Sequence, residues 1–481
     1  MRVSHIEEPE LEFGGGMRHV DVRFGLIDNG PFDAGLETRP SEVRVAIIGS
    51  AETLDLAATW LERCQAGIEA KSSKQPNLFP SFPGLGEDGA FRCAFSTPDS
   101  LQRTLAEKAL KDVLEHPSQP EIVRAAVGLI ADEVKDLADG TPPSVILIAL
   151  PIELITAVYV LSDKVDGADE AFDDHTRPIN FHGALKAACM RYRTPIQVVW
   201  PSTLDASAKI PRKIKKERNI RVQDDATRAW NLTTALYYKA GGLPWRLKRD
   251  PRELRTSYVG VSFYRTADGE AVQTSTAQMF DERGEGLILR GGRAAENSED
   301  RSPHLSAENA FDLLSRSLKT FRRQHGHYPA RVVMHKTSNF NPDEIDGFNQ
   351  ALDELDIDYG DYLYMAKSFI RLYRPGLYPP LRGTLIRFDP AQAALYTKGS
   401  VEFFRTYPGL YVPKPVLLRA QRLGQPMTHI AEETLALSKM NWNNTQFDGG
   451  MPVTIVAAQQ VGEILKYVEG DHFAPRYSFY M

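Results

Sequence analysis

The chain has 481 residues, 42% hydrophobic and 25% charged, with 57 Lys and Arg against 63 Asp and Glu for a formal charge of −6. That length exceeds one ordinary core and predicts two lobes, the composition is that of a globular protein, and the acidic balance excludes binding to nucleic acid through global charge. Cys64, Cys93 and Cys189 are odd in number with no CxxC, which argues against a disulfide framework or a zinc site, and "MRVSHIEEPELEF" holds no apolar signal core, so a reducing, cytoplasmic setting is expected.

Along the chain, "FGGGM" (13–17) reads as a turn. "VRVAIIG" (43–49) is an apolar strand and residues 51–68 a helix of period 3.6. The turn between them has neither GxGxxG nor GxxxxGK[ST], so a dinucleotide or P-loop site is not expected. Residues 100–116 and 121–139 read as helices, and 144–151 and 195–200 as strands. The run "SVILIALPIELITAVYVL" contains Pro151 and Glu153, which favours a buried strand ending in a loop over a membrane span. This alternation predicts a parallel sheet with helices on both faces.

Three stretches of this first lobe carry candidate chemistry. In "RPINFHGALKAACMRYRTPIQVVW", Pro178 and Asn180 mark a helix start. His182 and Lys186 are four apart and share a face near that start, where free backbone N–H groups favour an anion. Gln197 follows in the next strand. The stretch 208–221 carries Lys209, Arg212, Lys213, Lys215, Lys216, Arg218 and Arg221 against Glu217 alone. It is either a solvated loop or a contact for nucleic-acid phosphates. A helix from about Asp224 then ends at Lys239, before Gly241 and Gly242, and its apolar stripe Leu232, Ala235, Leu236 runs into that lysine. Lys239 either offsets the negative end of the helix dipole or meets an anion in a pocket.

After a linker at 247–256, from about Thr256, strands dominate: "SYVGVSFYR", "AQMFDE" and "GLILRGG", then a helix over 306–326 and the strand "ARVVMHK" (330–336). "GTLIRFDP", "AALYTKG" and "GLYVPKPVLLRA" follow as further strands. A second α/β lobe with a mixed sheet is expected.

The set His182, Lys186, Gln197 and Lys239 resembles the guide 5′-phosphate pocket of the MID domain of Argonautes: an aromatic or basic residue, a Lys four later, a Gln in the next strand, and a Lys just before Gly-Gly. "KAGGLPW" is similar to that family's junction between MID and PIWI domains. "HIEEPELEFGGG", "FDERGEGLILRGG" (280–292) and "HKTSNFNPDEIDGF" (335–348) look like short prokaryotic Argonautes, which lack the N and PAZ domains. The resemblance implies a Rossmann-like MID lobe over 41–246, an RNase H-like PIWI lobe over 247–481, and an N-terminal segment over 1–40 packing on both.

Active PIWI domains hold two magnesium ions on acidic residues. Where the family has its first acid, in a "GxD"-like phrase, this chain has "YVGVSFY" with Ser262. Where the second follows a strand in "RDG", it has "VVMHKTS" with Thr337. "PVTIVAAQQVGEILKY" offers no evident last ligand, and Asp268 and Glu344 are out of register. Resemblance therefore implies a lobe that binds a duplex without cutting it. It further implies a guide, RNA by expectation, paired with single-stranded target DNA. A partner carrying an APAZ region and an NADase effector, sirtuin-like rather than TIR, would deplete NAD and abort infection. A structural Mg2+ at the guide phosphate, approached by the chain end at Met481, is a further expectation. The alternatives are an active guide-directed nuclease degrading invader DNA and a stand-alone nucleic-acid-binding module.

Overall fold

The structure is a computed structural model. It describes the chain apart from residues 160–177, 218–220, 249, 251, 268, 270, 281–285, 297–301, 374–378, 410–411, 447–448, 469 and 471–472. It is an α/β molecule with the two kinds of sheet the sequence predicts.

The first sheet is parallel, in the order Ala94–Ser96, Glu42–Gly49, Val145–Ala149, Ile196–Val199, with Gln102–Thr104 also paired to Glu42–Gly49. Its central strands are apolar at consecutive positions because both faces are covered. Val45, Ile47, Val145 and Leu147 join one core with Trp60 and Trp230, while Ala46, Ile48, Ile146 and Ile148 join another with Val123, Ile130 and Leu185. The helices Ala51–Ala66 and Asp225–Lys239 thus lie on one face, and Gln119–Asp139 and Phe181–Cys189 on the other.

The second sheet is mixed. Thr256–Arg265 lies at its centre, parallel to Arg331–Lys336, which is parallel to Tyr359–Lys367. Val272–Phe280 pairs antiparallel on the other side, and Val416–Arg422, Gln392–Leu395 and Thr384–Arg387 extend the sheet antiparallel in turn. Arg2–His5 completes that edge against Thr384–Arg387. The helices Ala307–His325 and Pro342–Glu354 cover one face. Val453–Leu465 crosses the other so closely that a Cβ at Gly260 would lie 2.1 Å from the Thr454 carbonyl oxygen. The same helix receives Phe181–Cys189 at Gly183, where a Cβ would meet the Glu463 carbonyl oxygen at 2.8 Å. Gly260 lets this helix sit on its own sheet and Gly183 lets the first lobe approach it, and one core holds residues of both lobes.

Several elements differ from the sequence reading. Residues 100–116 are not one helix. A 3-10 turn at Asp99–Leu101 and the strand Gln102–Thr104 precede a helix over Glu107–Leu114, because the backbone of 102–104 pairs with Ile47–Gly49. The apolar run after Val145 does not end in a loop: Pro151 caps the helix Ile152–Val158, as a residue with its φ already fixed is suited to do. Part of the linker is a strand, Arg246–Leu247, paired with Leu11–Glu12. The N-terminal segment is further held where Glu8 meets Arg382 at 2.9 Å and Lys439 at 3.1 Å. All three cysteines are free and buried. No helix among the described residues is long and apolar enough to cross a membrane.

Candidate functional site

The helix Phe181–Cys189 starts as its sequence directs, with the Asn180 side chain accepting from the Gly183 N–H. One turn in, Lys186 is 2% exposed and points between the lobes. Its Nζ donates to the Tyr480 main-chain oxygen at 3.1 Å and to that of Met481. The helix Asp225–Lys239 delivers the second cation from the opposite face of the sheet. Lys239 is 4% exposed, and its Nζ donates to the same Met481 oxygen at 2.7 Å and to the Ile196 carbonyl at 2.8 Å. Two lysines far apart in sequence therefore converge on one main-chain oxygen. The stop after Lys239 is also the ordinary one, with Gly241 in the left-handed region at φ 94°.

Among the described residues no carboxylate side chain pairs with either lysine. Burial pulls the Lys186 ammonium down to about 7 from its ordinary 10.5. Lys239 is pulled well below its ordinary value, first by burial and then by the charge on Lys186. Taking a cation out of water costs several kcal/mol unless a charged partner compensates, and here two ammonium groups share one chain-end oxygen with no acidic side chain beside them among the described residues. The arrangement is one that an entering anion would complete.

Gln197 stands beside Ile196, whose carbonyl holds Lys239. Its amide Nε2 donates to the Val198 carbonyl at 3.2 Å, while its buried Oε1 has no partner. It opens into a polar cleft of about 310 Å3 shared with Thr203, Arg221, Gln223, Asn231 and Asn443. His182 lies one turn before Lys186 on the same helix but is exposed rather than buried with the lysines. The structure thus brings Lys186 and Lys239 together, turns the Gln197 side chain into a cleft lined by neither lysine, and leaves His182 exposed. Gln223, Asn231 and Asn443 carry no sequence signal, because single amides on separate elements form no motif.

The basic stretch forms a short helix, Arg212–Glu217, anchored by Ile214 at 2% exposure. Lys209, Arg212, Lys213, Lys215 and Lys216 are exposed around it. Arg218 lies outside the described residues.

In the second lobe, Ser262 and Thr337 follow the paired residues Val261 and Lys336 on parallel strands, so they are neighbours. They line a cleft of about 590 Å3 with Ser302, Ser338, Gln459, Gln460 and Glu463. Hydroxyls and amides dominate it. Among the described residues its one carboxylate is Glu463, exposed and paired with Lys466 at 2.6 Å. Asp268 lies outside the described residues. Glu344 is occupied elsewhere: it closes a capping box with Asn341 and is buried against Lys336 at 2.6 and 2.7 Å.

Magnesium takes carboxylates, phosphate oxygens and water in octahedral geometry; here the Met481 oxygen accepts from two ammonium groups, and among the described residues no acidic side chain stands beside it to hold the ion. Among the described residues no group of three or more His, Cys, Asp or Glu is placed to hold a metal ion.

In sequence, no protein-family model matches the chain, and no curated protein matches it. In fold, it is similar to Clostridium butyricum Argonaute bound to a guide DNA and a 19-mer target DNA, with 15% identity and a TM-score of 0.65 over 97% of this chain. It is similar also to A. aeolicus Argonaute, at 13% identity and a TM-score of 0.58 over 98% of this chain. A further structure, Aa-Ago with externally bound siRNA, matches at 12% identity and 0.57 over 96%. The chain spans about half of each, 53%, 54% and 53% respectively. Its fold is Argonaute-like.

Proposed function

We propose that the chain binds the 5′-phosphate end of a short guide strand at Lys186 and Lys239 and presents that guide to complementary single-stranded DNA. One observation carries this reading: two buried ammonium groups converge on a single main-chain oxygen, that of Met481, where among the described residues no acidic side chain meets them. A terminal phosphate brings a charge of about −1.5 to −2 and several acceptor oxygens. It restores both lysines to full charge and accepts from each, in hydrogen bonds worth about 1.5–3 kcal/mol apiece. Gln197 adds an amide donor beside it, and the exposed cations of 209–216 meet the strand's other phosphates. Sequence is then read by base pairing, as in guided recognition generally.

The guide in this reading is RNA, and the second lobe holds the duplex without cutting it. Ser262 and Thr337 are neutral where a metal pair would need carboxylates, and no catalytic step is assigned to this chain. The output then falls to a partner, an APAZ-containing protein with an NADase effector, sirtuin-like rather than TIR. Target binding would trigger NAD depletion and abortive infection, making the chain the recognition subunit of a prokaryotic defence system. The Argonaute-like fold and the paired lysines support guide binding, while the partner rests on the resemblance of 280–292 and 335–348 to short prokaryotic Argonautes.

The test is a titration of 5′-phosphorylated and 5′-hydroxyl guides, followed by complementary DNA in magnesium buffer. A strong phosphate preference with intact target is expected. Equal affinity for the two guides would remove the pocket assignment. Target cleavage that is lost on changing a specific carboxylate would replace the second half of the reading with a nuclease.

A further inference from the structure

The segment Lys367–Tyr373, "KSFIRLY", leaves the strand Tyr359–Lys367. Its side chains alternate. Ile370 and Leu372 pack inward on Ile386, Ala394 and Tyr396, and the Tyr396 hydroxyl accepts from the Leu372 N–H at 2.7 Å. Lys367, Phe369, Arg371 and Tyr373 face solvent. Phe369 is 90% exposed and Tyr373 is 73% exposed. Lone exposed apolar residues are ordinary, but two rings alternating with two cations on a tethered backbone are not. Lys414, from the approach to the neighbouring strand, adds a third cation 5.8 Å from the Phe369 ring centre. Neither 367–373 nor 412–416 contains an acid.

The position of this stripe gives it a use. Thr256–Arg265, Arg331–Lys336 and Tyr359–Lys367 run parallel, with Lys336 level with Tyr364. Ser262 and Thr337 therefore lie near the same end of the sheet at which Lys367 leaves it. Two strand spacings, about 10 Å, separate the cleft from the start of the stripe.

We propose that Phe369 and Tyr373 form a stacking platform for unpaired bases of single-stranded nucleic acid leaving the cleft, with Lys367, Arg371 and Lys414 meeting its phosphates. Every base presents a flat face to an aromatic ring, so stacking holds a strand without reading its sequence. Cations spaced between rings neutralise the backbone that connects the bases. An exposed apolar surface for a protein would not need this alternation, and three cations with no acid among them favour a polyanion. The inference uses the guide-binding reading only to say where the strand comes from.

Two arms test it on the full chain. In the first, a labelled oligo-dT is titrated without guide against the parent and the variant Phe369→Leu with Tyr373→Leu, which keeps apolar bulk and removes both rings. A loss of about tenfold or more in affinity is expected from the removal of two stacking contacts. In the second, guide-loaded protein binds complementary DNA with and without an unpaired tail. The tail should strengthen binding by the parent, and the variant should lose that increment while binding the tail-free target as before. Replacement by Trp at both positions should keep it. Unchanged oligo-dT affinity in the leucine variant overturns the platform and leaves the rings to a protein contact. Absence of guide-dependent binding in the parent, with the oligo-dT loss intact, overturns the guide reading instead and leaves the platform standing.

Discussion

Two buried lysine sites, one in each lobe, show opposite solutions to the same cost. Lys336 is 1% exposed and sits on both oxygens of Glu344, at 2.6 and 2.7 Å, with the Asn339 carbonyl at 3.1 Å. Its charge is answered within the chain. Lys186 and Lys239 are buried as deeply, and among the described residues they meet no acidic side chain, only main-chain oxygens, the shared one on the chain's last residue, Met481. A buried cation with its own carboxylate is part of the scaffold, whereas two that share one chain-end oxygen are poised for a ligand that brings further negative charge.

The largest effect expected is at the unanswered pair. Lys186→Ala with Lys239→Ala removes two charge-assisted bonds and should weaken 5′-phosphorylated guide binding by about a hundredfold or more. Binding of 5′-hydroxyl guides should change far less. If both guides weaken equally, the lysines serve packing and the contrast with Lys336 disappears.

The converse substitution is Glu344→Gln, which leaves Lys336 buried against a neutral amide. Breaking a buried pair from one side costs about 3–5 kcal/mol, to be read by chemical denaturation. Phosphate preference should be unchanged. Lys336→Met with Glu344→Leu should recover much of the stability, because the pair is replaced as a unit.

What could be read from the sequence follows the same division. Lys186 and Lys239 were legible because each stands at a helix position where a cation interrupts an apolar stripe or sits at i+4 from another basic residue. Their meeting point was legible only as a resemblance, since Met481 lies 242 residues beyond Lys239. Glu344 is set aside in the sequence as out of register with a metal site, but what it does instead is not legible there, because an acid near "HKTSNF" carries no mark of its partner. Its Asn341 cap and its pairing with Lys336 exist only once the strand and helix are folded together. Both sheets were legible from apolar runs and turn signals. The short strand Gln102–Thr104 was not, because three polar residues have no period and are held by pairing with Ile47–Gly49 alone.

Proton linkage sharpens the comparison at intermediate size. Burial sets Lys186 at about 7 when no anion is present. The unfolded chain, with its lysine near 10.5, binds more protons between those values, so this group makes guide-free stability rise as pH increases from 7 toward 10. Guide binding runs the other way. The phosphate needs charged lysines and stays ionised itself above pH 7, so each unit above 7 should weaken the phosphate-specific part of affinity by about tenfold per lysine taken up. Subtracting 5′-hydroxyl from 5′-phosphate affinity at each pH isolates it. A flat difference between pH 7 and 9 would mean the lysines are already charged before the guide arrives.

The smallest effect belongs to cations that are neither buried nor paired in this way. Lys213 and Lys216 lie exposed on the short helix anchored by Ile214. A surface lysine facing a strand phosphate contributes chiefly by releasing counterions, about 0.7 in the slope of log affinity against log salt for single strands. Lys213→Ala with Lys216→Ala should therefore lower that slope by about 1.4 and weaken all guides alike, whatever their 5′ end. The two classes of cation separate by this experiment: buried lysines change which guide end is preferred, and exposed ones change how steeply salt competes. A salt slope unmoved by the double substitution would place the strand elsewhere on the lobe and leave the basic helix a solvated face.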